Sequence, residues 1–239
     1  MQNRQKSHHK AVYNESIRDI NNLMQSDATN DSQISQLFND GKSIFHEKKR
    51  IIIQPGDSPS TISTLESGVV RSYAITDKGY ESLAYIYKPP DVIPLSAAIS
   101  GNDASLFFEA VTDVEVRSIA RDLFLRRIHQ DQDALMQLLQ DSVQKLELIT
   151  ERINNTQFRS SQERVAYALL GLAKQFGEDD ASGKKIALPV THQFISESVG
   201  LSRETTSRQM EELHKRGAIS YSGRTLFIKD IDYLSSVVK

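Results

Sequence analysis

Residues 191–213 read THQFISESVGLSRETTSRQMEEL. Thr191 has the short hydroxylated side chain that caps a helix, and Phe194, Ile195 and Val199 then fall on one apolar face. Gly200 supplies the left-handed residue that ends this first helix. Ser202 caps a second helix, whose first turn carries Arg203 and Glu204, with Ser207 and Arg208 one turn on. Gly217 follows. Ile219–Tyr221, Ser222-Gly223 and Thr225–Lys229 then read as a hairpin. Helix, tight turn, helix and wing is the layout in which the start of the second helix enters the major groove of DNA.

The formal net charge is −2 and the sequence pI about 6.3, values that look wrong for a DNA binder. Local charge sets the phosphate footprint, however, and net charge does not. From Ser202 to Lys229 the cations are Arg203, Arg208, Lys215, Arg216, Arg224 and Lys229, against Glu204, Glu211 and Glu212. An arginine can donate two hydrogen bonds to O6 and N7 of guanine, and a glutamate can accept from the amino group of cytosine. Arg203, Glu204 and Arg208 are therefore the expected base readers, and Ser207 is a further expected DNA contact. Ser202, Thr205 and Thr191 complete the expected DNA contacts; Ser202, Thr191 and the wing suit phosphates, which set register without carrying sequence information.

The rest of the 239 residues leaves room for a second folded unit. Residues 1–40 form a polar arm, with Ile17, Ile20, Leu23 and Met24 as one side of a possible short helix and much of 1–32 expected to move. Within 41–122, short β-rich runs alternate with turn signals: 51–53, 61–65, 69–75, 80–87, 107–111 and 114–119. Closely spaced short strands predict a β-sandwich or barrel. Helical texture runs from Arg121 to about Asn154, giving a helix domain over 123–156. Met136, Leu139, Val143, Leu146, Thr150 and Ile153 are spaced by alternating threes and fours, the seam of a short coiled coil. Either the barrel covers this stripe or a second copy of the chain does, and a parallel homodimer is the preferred expectation. Asn154-Asn155-Thr156 reads as a hinge. In 157–239 a helix over 161–176 buries Val165, Ala166, Leu169, Leu170 and Ala173, and Gly177–Lys185 reads as a polar loop before the helix-turn-helix. The expected class is α+β.

This order of domains resembles the Crp-Fnr family of bacterial transcription regulators over about residues 40–235. The resemblance is most specific at GLSRETTSR, residues 200–208, and extends to QPGD (54–57), ESGVVR (66–71) and TDKG (76–79), which resemble the glycine-marked turns of the family's barrel. It implies an N-terminal double-stranded β-helix or jelly-roll barrel, a long dimerisation helix and a C-terminal winged helix-turn-helix. By the same resemblance Glu204 and Arg208 read the C·G and G·C pairs of a TGA-type core, and Arg203 reads a further guanine or a phosphate. Ser207 fits the Glu-x-x-Ser-Arg pattern of Fnr-like members. Implied partners are an inverted repeat of double-stranded DNA, a second copy of the chain and RNA polymerase. A small-molecule effector in the barrel would shift the helix arrangement that spaces the two recognition helices. Ser196 and Thr206 depart from the family pattern, where a smaller and an aliphatic residue are usual, yet both are small enough to fit.

The sensory cassette departs further. In cyclic-nucleotide-binding members it carries a glycine-glutamate pair and an arginine with serine or threonine. Here Pro94-Leu95 replaces the first pair, Ala104-Ser105 is nearest the second, and no lysine or arginine occurs between Lys88 and Arg117. A buried cyclic phosphate without a cation is poorly compensated, so the family's usual binding of cyclic AMP is not expected. The chain has no cysteine, which excludes an Fnr-type iron–sulfur cluster, disulfides and cysteine-ligated zinc. His46, His129, His192 and His214 are scattered and read as surface or structural residues. No cofactor or metal is expected, and the effector site has no assigned residues. Tyr73, Tyr85 and Tyr87 offer an apolar or aromatic acid a place, or serve packing alone.

No phosphate-binding loop, nucleophile elbow or metal-ligand cluster appears, and Asp179-Asp180 reads as a solvated pair, so no enzyme is expected. No signal peptide or apolar span is seen, which makes the cytoplasm the expected compartment. The alternative function is a small-ligand sensor whose C-terminal helical domain binds a protein.

Overall fold

The computed structural model describes residues 33–77, 79–158, 160–181 and 183–238. The candidate helix around Ile17–Met24 lies outside these residues.

Eight strands form two antiparallel four-stranded sheets. One has the order β1 (Lys42–His46), β8 (Val114–Ala120), β3 (Thr61–Ser67) and β6 (Val92–Ile93). The other is β2 (Ile51–Ile53), β7 (Phe107–Ala110), β4 (Val70–Ile75) and β5 (Glu81–Tyr87). Leu65, Val70, Ile93, Phe108, Val114 and Val116 fill the space between them, as alternating positions of facing sheets do. Gly68 turns β3 into β4 at φ 81°, and a Cβ there would stand 2.1 Å from the Asp113 carbonyl oxygen, so only glycine passes.

The end of the polar arm is structural. Helix α1 (Gln33–Gln36) and the following turn bury Ile34, Leu37 and Phe38 against Phe124 and Ile128. The Arg127 guanidinium grips both carboxylate oxygens of Asp40, at 2.6 and 2.8 Å. The first unit thus includes residues that polarity alone had assigned to an arm. A short helix α2 (Leu95–Ser100) also lies in the cassette, ended by Gly101 at φ 75°.

The helical texture from Arg121 is two helices, α3 (Arg121–Gln130) and α4 (Gln132–Phe158). Asp131 breaks them with extended backbone, and its carboxylate accepts from the Ala134 amide to start α4. Asn154-Asn155-Thr156, read as a hinge, is helical backbone; α4 continues to Phe158. The next helix α5 (Ser161–Phe176) opens with a capping box in which Ser160 and Glu163 satisfy each other's backbone amides. Its buried face includes Leu172, while Leu170 is only half-buried.

The predicted polar loop is also corrected. Residues 177–186 form a hairpin, β9 (Gly177–Asp180) and β10 (Gly183–Ile186). Lys184 lies opposite Asp179 and Lys185 opposite Glu178, with ion pairs of 2.8 and 3.3 Å. β10 pairs with β12 (Thr225–Ile228), which pairs with β11 (Ile219–Ser222), so the wing belongs to a four-stranded sheet. Helices α6 (His192–Val199), α7 (Arg203–Lys215) and α8 (Ile231–Val237) pack with α5 on this sheet around Leu169, Ile195, Met210, Leu213 and Leu226. No helix among the described residues is long and apolar enough to cross a membrane.

Candidate nucleic-acid interface

Local chemistry builds the candidate surface from Thr191 onward. The Thr191 side chain accepts from the Phe194 amide at 3.1 Å, capping α6. Gly200 ends that helix in the left-handed region, φ 63° and ψ 38°. The Ser202 hydroxyl accepts from the Thr205 amide at 3.1 Å and lies 2.9 Å from the Thr205 hydroxyl, capping α7. Both predicted caps and the turn glycine hold the places the sequence assigns them.

Helix α7 has two contrasting sides. Thr206, Gln209, Met210 and Leu213 are buried and anchor it on the domain. Ser202, Arg203, Glu204 and Arg208 are exposed, and Thr205 and Ser207 are half-buried at the margin. Arg203, Glu204 and Arg208 are thus brought together on one free face. Thr191 is exposed at the start of α6. Arg224 is exposed at the tip of the β11–β12 hairpin.

Three further groups join this surface, and the sequence reading had set two of them aside as isolated. His192, the first residue of α6, has Nδ1 2.9 Å from the Ser207 hydroxyl oxygen. Its Nε2 lies 3.4 Å from the Tyr221 hydroxyl on β11. The Tyr221 and His214 rings meet edge to face, with centroids 5.7 Å apart. Burial pushes the Tyr221 phenol up to about 12, so it remains protonated at any physiological pH. Nothing in the linear pattern pairs His192 with Ser207, because the two sit on different helices.

The two family departures are resolved differently. Ser196 is buried, but its hydroxyl donates to the Gln193 carbonyl at 2.7 Å. Thr206 is fully buried, and its hydroxyl oxygen has no hydrogen-bond partner among the described residues. A buried hydroxyl without a partner forfeits its hydration, so Thr206→Val is expected to stabilise the domain by about 1 kcal/mol, measured as a higher denaturation midpoint. A lower midpoint would mean that the hydroxyl is satisfied in solution.

The barrel touches this domain through a charged knot. Arg71 on β4 is 2.8 Å from Glu81, 2.9 Å from Glu109 and 2.7 Å from Glu197 of α6. Burial raises the Glu197 carboxyl above its ordinary range; hydrogen bonding from Gln193 and the Arg71 charge oppose that shift. Val69, Ile86 and Val111 of the barrel join the apolar cluster of the helical domain beside the knot.

The three barrel tyrosines fall into two contact groups. Tyr73 stacks on Phe107 at 5.1 Å and lies beneath the Arg71 guanidinium, at 4.4 Å. Tyr85 and Tyr87 meet edge to face at 4.9 Å, with the Lys145 ammonium of α4 5.7 and 5.8 Å from their ring centres. Lys145 is ion-paired with Asp91. Burial raises both phenols, so neither supplies charge. In the cassette, the Arg121 guanidinium donates to the Ala98 carbonyl at 2.7 Å.

Along α4, Ala134 and Leu138 face the first unit's core. Met136, Leu139, Val143, Leu146 and Ile153 are 46–63% exposed, and Thr150 is exposed beside them. The barrel therefore leaves the predicted seam uncovered.

Residues 44–131 match the family described as cyclic nucleotide-binding domain, and residues 163–237 match the Crp-like helix-turn-helix domain. The chain is 28% identical over 186 residues to the cAMP-activated global transcriptional regulator CRP of Salmonella typhimurium, covering 77% of this chain and 87% of that one. It is 26% identical over 194 residues to an anaerobic regulatory protein of Haemophilus influenzae, covering 79% of this chain and 73% of that protein. Among solved structures, FixK2 from Bradyrhizobium japonicum superposes with a TM-score of 0.71 at 22% identity, over 83% of this chain and 98% of that one.

Proposed function

We propose that this chain, which belongs to the Crp-Fnr family of transcription regulators, works as a cytoplasmic homodimer that reads an inverted-repeat operator without needing cyclic AMP. The observation that carries the reading is the free face of α7, where Arg203, Glu204 and Arg208 stand exposed on a capped helix beside the wing. That face offers guanidinium and carboxylate groups to base edges at the end of the helix that enters the groove. Ser202, Thr205 and Thr191 adjoin it, and their hydroxyls already serve the helix starts, so they favour phosphates over bases.

The uncovered stripe on α4 supports the second copy. A helix that keeps Leu139, Val143 and Leu146 exposed along one line offers a surface for the same line on a partner. Two recognition helices related by a two-fold axis then meet half-sites about 34 Å apart, which requires an inverted repeat. RNA polymerase and a small effector remain the further partners that the family resemblance implies.

Independence from cyclic AMP is supported by charge. The cassette holds no cation from 89 to 116, Arg121 is engaged with the Ala98 carbonyl, and Lys145 is neutralised by Asp91. A buried phosphate requires charge-assisted donors, and these cations are committed elsewhere.

Selection from a random duplex library with the ligand-free protein tests the whole reading. Enrichment of an inverted repeat with a TGA-type core is expected, unchanged by added cyclic AMP. Arg208→Ala is expected to lose about 1–3 kcal/mol of binding and to relax selectivity at one position per half-site. Enrichment only with cyclic AMP would refute the independence. An Arg208→Ala variant that binds and selects normally would move the reading to the protein-binding sensor.

A further inference from the structure

Ser207 holds one hydroxyl proton and two lone pairs, and by itself selects no particular base. Its surroundings remove that freedom. The hydroxyl oxygen stands 2.9 Å from His192 Nδ1, so one of its hydrogen-bonding functions is committed to the imidazole. The ring is held from its other side by Tyr221, whose hydroxyl lies 3.4 Å from Nε2. Tyr221 is held in turn by the His214 ring, and His214 Nδ1 lies 3.1 Å from the Ile219 carbonyl, an acceptor that requires the hydrogen to be on that nitrogen. One chain of polar contacts therefore joins the first helix, the recognition helix and the wing.

Resting on the recognition-helix reading above, we propose that His192 is a specificity-determining positioning residue, which sets the hydrogen-bonding sense of the Ser207 hydroxyl and so decides which base Ser207 selects. A neutral imidazole has a single N–H. With the Tyr221 phenol donating to Nε2, that hydrogen sits on Nδ1 and is donated to the Ser207 oxygen. The Ser207 proton is then free to point into the groove. It meets an acceptor, O6 or N7 of guanine, N7 of adenine or O4 of thymine, and disfavours cytosine, whose major-groove edge offers only the amino donor. Were Nδ1 bare, the Ser207 proton would turn to the ring and the preference would invert. His192 acts here through Ser207 and needs no contact with a base.

Library selection on the full-length protein, read position by position, tests this. The unsubstituted protein is expected to disfavour cytosine at the half-site position governed by Ser207, the position whose preference disappears in Ser207→Ala. His192→Phe keeps a ring of similar size without its nitrogens. It is expected to weaken the preference at that position about fivefold, the equivalent of one ordinary hydrogen bond. Preferences governed by Glu204 and Arg208 should stay unchanged. The double variant His192→Phe/Ser207→Ala should select no differently from Ser207→Ala, because both act through one hydroxyl. Tyr221→Phe should shift the same position in the same direction, and it tests the ring's orientation independently should His192→Phe fold poorly.

A His192→Phe protein that loses affinity equally for all sequences would make His192 a packing residue and overturn the proposal. Additive effects of His192→Phe and Ser207→Ala would overturn it as well, as would a cytosine preference at that position. If the unsubstituted protein enriches no inverted repeat, the recognition-helix reading itself fails and takes this one with it.

Discussion

Arg71→Ala is expected to lower the unfolding free energy by about 3 kcal/mol at pH 7, because it removes the cation from a largely buried cluster and leaves three carboxylates facing one another. The side chains of Arg71, Glu109 and Glu197 are 13, 17 and 8% exposed, so water screens them little. The Glu197 carboxyl already lies above its ordinary range, chiefly through burial, and loss of the guanidinium raises it further. A carboxyl with a folded value above its unfolded one binds its proton more tightly in the folded protein. Its contribution to stability is complete below the unfolded value, about 4.3, and is lost as the pH rises through the folded value. The deficit of the variant should therefore be smaller near pH 4 than at pH 7. Urea denaturation at the two pH values measures it. Equal deficits at both would mean that Arg71 contributes packing and not charge. Glu197→Gln resembles the protonated carboxyl and should cost far less than the arginine change. Since Glu197 lies on α6, the same knot fixes how the helix-turn-helix sits on the barrel.

Breaking the α4 seam has the largest expected effect on DNA binding. Leu139 and Leu146 are 55 and 63% exposed on a helix whose opposite side is packed, so aspartate at both positions should leave the fold intact. In a coiled-coil dimer those positions face their own counterparts, and four carboxylates brought into an apolar seam would hold the copies apart. Sedimentation should show a dimer for the unsubstituted protein and a monomer for the double variant. Two linked half-site contacts gain roughly 10²- to 10⁴-fold in apparent affinity over one, so operator binding should fall by a factor of that order. A double variant that remains dimeric would place the interface elsewhere. One that becomes monomeric yet binds at full affinity would remove the two-fold reader.

The legible part of this protein is the part coded by local chemistry. Thr191, Gly200 and Ser202 act on backbone groups within four residues of themselves, so their caps and turn could be named from spacing alone. The threes and fours from Met136 to Ile153 mark a helix stripe for the same reason. Strand texture likewise found six of the eight barrel strands. The misreadings have a common cause. Gly177–Lys185 is polar throughout, and it becomes a hairpin because Glu178 and Asp179 find Lys185 and Lys184 across a turn while β12 supplies a partner strand. That acidic run followed by a lysine pair was the available signal. Residues 33–40 look like the rest of a polar arm, yet Phe38 is fully buried against Phe124, a neighbour that only folding delivers. Asn154–Thr156 has the composition of a break and remains helical backbone.

By itself the sequence determined the α+β class, the order of barrel, long helix and winged helix-turn-helix, and the residues that α7 presents, because caps, periodicity and turn glycines act over a few residues. Only the tertiary structure decided that Arg71 joins Glu197 across two domains, that Tyr73 stacks on Phe107 while Tyr85 meets Tyr87, and that His192 meets Ser207 and Tyr221. Those contacts join residues 126, 15 and 29 positions apart in two of the cases that matter most, the knot and the histidine relay. A hydrogen bond or ion pair between side chains leaves no period in the chain, and so it appears only when packing brings its partners together.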